Sequence, residues 1–245
     1  KCDFCQTPPF CPKPSKISLQ SIENVLKYYK SLGISEIIIL DESFGLYREH
    51  AEQVVELLDK YGFFWFPMIR ADYLKKRIHD WSKKGLIGAM TGIESFNQDT
   101  LNALGKNETT DEITSAVHLM KKHNMMSVGY YMIGFPNETV DSIMCDIKKL
   151  ASLKLDITQL CVITPLPGTS IWDQIKTKYG IFDKDWHHFN AKHLVWNHPN
   201  IQPKEMREIL LKSFNYVYPP TKIIETSLGF ITRYMQNLGV FGGSK

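Results

Sequence analysis

The apolar positions of this chain follow two alternating periods. Short runs of β-branched and aromatic residues alternate with longer stretches in which apolar residues recur every three or four positions. The short runs are typical of buried strands, and the longer stretches are typical of amphipathic helices. Because the alternation continues from residue 17 to about residue 178, it predicts a repeated strand–helix unit.

The pattern predicts both the strands and the helices of this region. Strands are expected at 36–40, 63–70, 86–94, 127–133 and 157–164. Helices are expected at 19–32, 48–61, 72–84, 109–123 and 137–153. Ser18 can cap the first helix, and Thr109 with Glu112 forms a capping box.

Strand–helix units at this spacing are typical of βαβ connections and a parallel sheet. The run Ile37-Ile38-Ile39-Leu40 agrees with this, since parallel strands are covered on both faces. A closed barrel of eight units takes about 250 residues, and only about 165 are used here. The expected fold is therefore α/β, with a partial barrel or an open sheet.

The pattern changes after residue 178. Residues 181–202 are rich in aromatic residues and histidine: Trp186, His187, His188, Phe189, His193, Trp196 and His198. Two helices are predicted at 203–217 and 220–237, and residues 242–245 are expected to fray. We therefore expect a core at 1–178 and a C-terminal extension at 179–245.

Composition and charge narrow the class of protein. Of the 245 residues, 43% are hydrophobic and 22% are charged, which is ordinary for a soluble enzyme. The net charge is +3 without a long run of Lys or Arg, so no nucleic-acid arm is expected. No apolar run reaches the roughly 20 residues of a membrane span, and no signal peptide precedes the first motif. A cytoplasmic protein is expected.

The cysteines indicate a metal site. Three of the five, Cys2, Cys5 and Cys11, lie in the first eleven residues, which argues against a disulfide scaffold. Cys-x-x-Cys by itself also occurs in zinc sites and thioredoxin-like redox sites. A zinc site would need two further ligands, and His188, His193 and His198 have ligand-like spacing. Cys145 and Cys161 are expected to be buried small apolar residues.

The segment Lys1-Cys2-Asp3-Phe4-Cys5 resembles the cluster loop of the radical S-adenosylmethionine (SAM) superfamily. That loop is Cys-x3-Cys-x2-Cys, with an aromatic residue before the last cysteine, where Phe4 stands. The resemblance implies that Cys2 and Cys5 bind a 4Fe-4S cluster. It also implies that a first cysteine, three residues before Lys1, and the first strand of a partial (β/α)6 TIM-type barrel are missing. Cys11 could substitute as a ligand or be an ordinary thiol.

Two strand ends further along the chain resemble SAM-binding positions of this family. Asp41 and Glu42 follow the first predicted strand, where the family holds the SAM amino group. A helix-start acidic pair is the alternative. Arg70 resembles a strand-end arginine able to form a bidentate pair with a carboxylate, with a surface salt bridge as the alternative.

Three later segments continue the resemblance. Glu94 in Gly-Ile-Glu-Ser resembles the acidic residue that contacts the ribose or amino group of SAM. Gly134 in Gly-Phe-Pro-Asn-Glu-Thr would let the backbone approach adenosine, whereas Glu138 could simply stabilise a helix N-terminus. Pro165 belongs to the turn that flanks adenine in the family.

The resemblance implies reductive cleavage of SAM to a 5′-deoxyadenosyl radical, with an electron donor such as flavodoxin or ferredoxin. It is closest to the branch that often carries an N-terminal cobalamin-binding domain, which is absent from this chain. Cobalamin-dependent methylation is one outcome, and ring formation or methylthiolation are others. A helical C-terminus counts against a methylthiotransferase. A non-catalytic metal-binding module is the alternative, and the substrate is unknown.

The histidines of 181–202 could line a substrate pocket, bind a metal or belong to an aromatic cap.

Overall fold

The computed structural model describes residues 2–237, with side chains to residue 232. Five parallel strands follow one another in chain order: β1 (Glu36–Ile39), β2 (Phe64–Pro67), β3 (Gly88–Glu94), β4 (Met126–Ile133) and β5 (Ile157–Val162). Bridges between Trp65 and Leu86 and between Met68 and Met90 join β2 to β3. These strands form an open parallel sheet, which confirms the predicted α/β fold with a partial barrel.

The helices lie between and after these strands. Their bounds are α1 (Thr7–Phe10), α2 (Leu19–Ser31), α3 (Arg48–Lys60), α4 (Ala71–Ser82), α5 (Gln98–Ala103), α6 (Thr110–Lys122), α7 (Val140–Ser152), α8 (Ser170–Lys178), α9 (Pro203–Val217) and α10 (Pro220–Asn237). The capping box of Thr109 and Glu112 is confirmed at α6. The short helices α1, α5 and α8 were not predicted, although Asn97 and Thr169 cap the last two.

The outer face of the sheet packs against the helices. Trp65 of β2 contacts Phe44 and Trp81, with ring centroids 5.7 and 5.3 Å away. The Tyr131 hydroxyl donates to Asp146 on α7, 3.2 Å away. Because side chains alternate along a strand, Tyr130 points to the inner face, where its hydroxyl lies 3.5 Å from the sulfur of Met90.

The C-terminal extension covers part of the free edge of β5. The Tyr218 hydroxyl accepts from the Thr158 N–H at 2.5 Å and donates to the Thr158 carbonyl at 2.8 Å. The Val162 N–H donates to the Ala191 carbonyl at 2.8 Å. Unpaired strand edges invite association, so the extension protects this edge. The division at residue 178 stays a prediction, and residues 242–245 lie outside the described residues.

Within residues 2–237, no helix is both long enough and apolar enough to cross a membrane.

Candidate functional site

Cys2 and Cys5 line one cleft of about 160 Å³, together with residues 168–170. The Asp3 N–H donates to the Leu104 carbonyl at 3.0 Å, and the Asp3 carbonyl accepts from the N–H of Ile171 at 3.1 Å. The loop is thereby held between the end of α5 and the start of α8. Both thiols are half-buried. The arrangement offers two soft ligands on one surface, which suits an iron–sulfur cluster.

Cys11 does not line this cleft. It is exposed, and its sulfur lies 3.9 Å from the Lys13 carbonyl. Within residues 2–237 no group of three His, Cys, Asp or Glu residues is arranged to hold a metal ion. Of these cysteines, Cys2 and Cys5 line the cleft, and their binding of a metal stays a prediction.

Glu94 ends β3 in a strained conformation. Its φ is +61°, and the register of β3 against β4 shifts between Gly92 and Glu94. A Cβ atom at Gly92 would overlap the Glu94 carboxylate and lie 2.8 Å from the Lys106 Nζ. Left-handed φ values at non-glycine residues cost energy and cluster at functional sites. The backbone is thus bent to bring the carboxylate towards Lys106.

A buried ionic cluster surrounds that carboxylate. The Lys106 Nζ lies 3.4 Å from Glu94 Oε1 and 3.1 Å from Glu108 Oε2. Burial raises the pKa of Glu94, against the attraction of Lys106. Burial opposes the charge of Lys106 as well, but Glu94 and Glu108 outweigh it and raise the pKa of the ammonium. Buried charges persist in proteins when they are paired in this way.

Arg70 is held by the same cluster. Its guanidinium donates to the carbonyls of Lys106 at 2.7 Å and Asn107 at 3.0 Å, and to Asp72 at 3.1 Å. Its Nη1 also lies 3.7 Å from Glu108 Oε2. Arg70 therefore forms the salt bridge that was the alternative interpretation, with Asp72, and both side chains are partly buried. The assignment of Arg70 to the cofactor-binding residues stays a prediction.

The cluster extends to the cysteine loop. Burial raises the pKa of the Cys2 thiol, while the positive charge of Lys106 opposes that rise, and Glu94 and Arg70 act on the same thiol. Two other predicted residues, Arg70 and Glu94, thus act electrostatically on the Cys2 thiol. Sequence reasoning missed Lys106 and Glu108, because a charged pair in a polar segment normally indicates an exposed loop.

Asp41 and Glu42 lie just beyond the end of β1, and both are exposed. The turn is fixed by the Phe44 N–H, which donates to the Met68 carbonyl at 2.9 Å. The next helix begins only at Arg48, so the helix-start alternative for the acidic pair is wrong. Their binding of the SAM amino group stays a prediction.

Pro165 is buried in the segment that leads from β5 to α8. The turn after it closes through Thr169, whose hydroxyl donates to the Leu166 carbonyl at 2.6 Å. Gly168, at φ +83°, lies in this turn and lines the cleft of Cys2 and Cys5. The turn is thus beside the cysteine loop, while the contact of Pro165 with adenine stays a prediction.

The loop after β4 is held by hydrogen bonds to the Glu138 side chain from backbone N–H groups of the same loop. Gly134 has φ +87°, and the Glu138 carboxylate accepts from the N–H groups of Gly134 at 2.6 Å and Phe135 at 2.8 Å. The cap of α7 is Thr139. The helix-stabilising alternative for Glu138 is therefore wrong, because its side chain turns back to the loop. Burial raises the pKa of Glu138 to about 7, although both N–H groups act in the opposite direction.

Replacing Glu138 with glutamine should stabilise the protein above neutral pH. The raised pKa means that the folded protein holds this proton more tightly than the unfolded chain does. Stability from this group is present below its ordinary pKa of 4.5 and is lost as the pH rises through about 7. At about 1.4 kcal/mol per pKa unit, Glu138→Gln should raise the unfolding free energy by up to about 3 kcal/mol at pH 8, with little effect at pH 4.5.

Urea unfolding of both proteins between pH 4.5 and 8.5 measures this difference. The exposed Glu49→Gln variant on α3 is the matched control. Parallel pH profiles for Glu138→Gln and the unaltered protein would contradict the assignment.

His188 and His193 lie side by side, with ring centroids 4.8 Å apart, and each of the three candidate histidines has its own hydrogen-bond partner. The His188 Nδ1 lies 2.8 Å from an oxygen of Asp183, and the His193 Nδ1 lies 2.9 Å from the Asn190 side-chain oxygen. His198 is buried and bonded through both ring nitrogens, the Nε2 to the Phe135 carbonyl at 2.8 Å. The proposed histidine ligand set is therefore not assembled.

Of the two later cysteines, Cys145 contradicts its predicted burial, whereas Cys161 is partly buried and packs against the core. Cys145 on α7 is exposed, so its predicted burial is wrong, because it lies on the outer face of an amphipathic helix. Cys161 on β5 is half-buried. Burial raises the pKa of the Cys161 thiol, and the charge of Glu94 acts in the same direction.

The chain matches a known protein family and is similar in sequence to several methyltransferases. The family model of the Radical SAM superfamily matches residues 1–150. An uncharacterized methyltransferase, PH0819, of Pyrococcus horikoshii is 26% identical over 213 residues, which cover 83% of this chain and 46% of that protein. The bacteriochlorophyllide d C-12(1)-methyltransferase of Chlorobaculum tepidum is 22% identical over 93% of this chain and 51% of its own. Other relatives carry methylthiotransferase names.

The fold is shared with a solved methyltransferase. TsrM from Kitasatospora setae, solved with cobalamin and a [4Fe-4S] cluster bound, matches with a TM-score of 0.63 and 15% identity, over 73% of this chain and 37% of that one. The chain spans about half the length of the curated relatives above.

Proposed function

Because this chain belongs to the radical SAM superfamily, we propose that it binds a 4Fe-4S cluster and cleaves S-adenosylmethionine reductively to a 5′-deoxyadenosyl radical. The observation that carries the proposal is the cleft in which Cys2 and Cys5 meet beside the buried ionic cluster. Soft thiolates are the ligands that iron–sulfur clusters prefer. A catalytic site needs such ligands next to groups that can bind a charged substrate.

The two cysteine thiols of the cleft are suited to bind two of the irons of a 4Fe-4S cluster. The Cys2 and Cys5 thiolates would hold it, as the second and third cysteines of the family's loop. When bound, the cluster would supply the low-potential electron for the cleavage of SAM. The nearby ammonium of Lys106 favours the thiolate form of Cys2, because it offsets the unfavourable burial of that charge.

The candidate residues at the strand ends would bind SAM. Asp41 and Glu42 are free to face its ammonium, and Glu94 would accept a hydrogen bond from its ribose or amino group. Arg70 would act mainly by holding the Lys106–Asn107 backbone, since its guanidinium is already bonded there. Gly134 and Pro165 would border the adenosine with backbone and ring atoms.

Methyl transfer that depends on cobalamin is the reaction we favour. It is supported by the methyltransferase names of relatives that align over most of this chain and by the cobalamin-bound neighbour. The region after the core folds as the helices α9 and α10, which differs from the β-rich module that a methylthiotransferase would carry. A flavodoxin or ferredoxin donor and a cytoplasmic location belong to the same proposal.

The test is an anaerobic assay of the full-length protein after reconstitution with iron and sulfide. With a reductant and SAM, the proposal expects 5′-deoxyadenosine. Added cobalamin should yield S-adenosylhomocysteine, the product that remains when SAM donates its methyl group. If the protein assembles an intact cluster but forms neither product, the result would support the alternative of a non-catalytic metal-binding module. Deoxyadenosine without S-adenosylhomocysteine would point to a radical reaction other than cobalamin-dependent methylation.

A further inference from the structure

A short segment of the C-terminal extension is bonded to the ends of two core strands. Within residues 196–200, here called the strap, Trp196 donates to the Ile163 carbonyl at 3.3 Å, and His198 donates to the Phe135 carbonyl at 2.8 Å. Asn200 donates to the Glu138 carbonyl at 3.0 Å. The three donors are spaced two residues apart, which is the spacing that places side chains on one face of an extended chain. The strap therefore joins the loops after β4 and β5.

His198 is the central donor of the strap and is fixed in one tautomer. Its Nδ1 accepts from the N–H groups of Asn200 and Ile201, both at 3.1 Å. The ring proton must then lie on Nε2, which faces the Phe135 carbonyl. Burial lowers the pKa of His198, which keeps the ring neutral in this arrangement.

The two peptide units that flank Phe135 are both hydrogen-bonded. The Phe135 N–H donates to the Glu138 carboxylate, while the Phe135 carbonyl accepts from His198. Movement of the backbone at Phe135 would break one or both of these bonds, directly after Gly134 with its left-handed φ of +87°. A Cβ atom at Gly134 would also lie 2.9 Å from the Met206 Cε of α9. The side chain of Met206, in the extension, therefore packs closely against the backbone of this loop.

We propose that His198 is a positioning residue of the SAM site, which sets the Gly134–Phe135 backbone from outside the core. The inference rests on the proposed function, in which that backbone borders adenosine. It assigns to residues 196–200 a role that the core motifs do not contain: the extension completes the adenosine side of the site. His198 would act on SAM through this backbone and not by direct contact.

The experiment compares SAM affinity of the reconstituted full-length protein with three variants. His198→Leu removes the donor and leaves a buried carbonyl unpaired, so the dissociation constant of SAM should rise about tenfold. His198→Gln can donate to the same carbonyl and should recover most of the affinity. The exposed His187→Leu variant, in the same extension, is the matched control and should bind normally. Equilibrium dialysis with labelled SAM gives the constants, and iron content and the thermal midpoint are measured in parallel.

Steady-state assays add a second readout. A positioning role raises the KM for SAM while kcat is largely kept, whereas global destabilisation lowers the active fraction and therefore apparent kcat. If His198→Leu does not fold, Asn200→Ala removes a more exposed member of the strap and should weaken SAM binding about twofold to threefold. Normal SAM binding by His198→Leu, or equal losses in His198→Leu and His198→Gln, would overturn the inference. Absence of SAM binding by the unaltered protein would instead overturn the proposed function.

Discussion

Replacing Cys2 or Cys5 with alanine is expected to abolish cluster binding and SAM cleavage together. The two thiols line one cleft, and neither has a substitute there among residues 2–237. A 4Fe-4S cluster held by cysteines does not tolerate the loss of a thiolate that no neighbour replaces. Iron and sulfide content, the electron paramagnetic resonance of the reduced protein and 5′-deoxyadenosine release should all fall to background.

The other cysteines provide matched controls for this loss. Cys11→Ser and Cys145→Ser change exposed thiols that lie outside the cleft, so both variants should keep the cluster and the activity. Retention of the cluster in Cys2→Ala, or its loss in Cys11→Ser, would contradict the assignment. The second result would make Cys11 the substitute ligand that the sequence left open.

Replacing Lys106 with methionine is expected to destabilise the protein by about 3–5 kcal/mol, since it leaves the buried Glu94 without its cation and Glu108 with Arg70 alone, 3.7 Å away. The side chains of Lys106 and Glu94 are only 6% and 10% exposed, and that of Glu108 is fully buried. Glu94 and Glu108 would then repel each other in a medium that hydrates them poorly. Urea unfolding at pH 8 measures the loss, and SAM affinity should fall with it because Glu94 would lose its fixed position.

A surface ion pair is the control for this effect. Lys149 pairs with Asp146 at 2.9 Å, but its side chain is 57% exposed, so Lys149→Met should cost less than about 1 kcal/mol. The double variant Lys106→Met with Glu94→Gln removes opposite charges and should be more stable than Lys106→Met alone. Equal losses for Lys106→Met and Lys149→Met would show that the buried cluster does not contribute as proposed.

Most of the secondary structure was predictable from the sequence. The strand near residue 38 and the helix after Thr109 follow directly from apolar periodicity and a capping box, and both lie where expected. The helices α5 and α8 were missed because they are short, and a short helix presents too few turns to show a period. Their caps, Asn97 and Thr169, were the available signals.

The candidate site was only partly predictable. Cys2, Arg70 and Glu94 were identified one at a time from their positions at loops and strand ends, and the fold brings them together. Lys106 and Glu108 gave no sequence signal, because their burial depends on the bend at Glu94 and on Arg70 from another unit. The histidines of the extension were identified as candidates, but not His198 as a donor to the loop after β4.

The sequence by itself therefore determined the order of the elements, the α/β class and the cysteine pair, because these depend on periodicity and spacing between near neighbours in the chain. Only the tertiary structure decided which charges are buried, which thiols share the cleft and where His198 binds. These depend on contacts between residues such as Arg70 and Asn107, or Phe135 and His198, that are far apart in the chain. Burial changes the energy of a charge or of a hydrogen bond far more than local sequence can indicate.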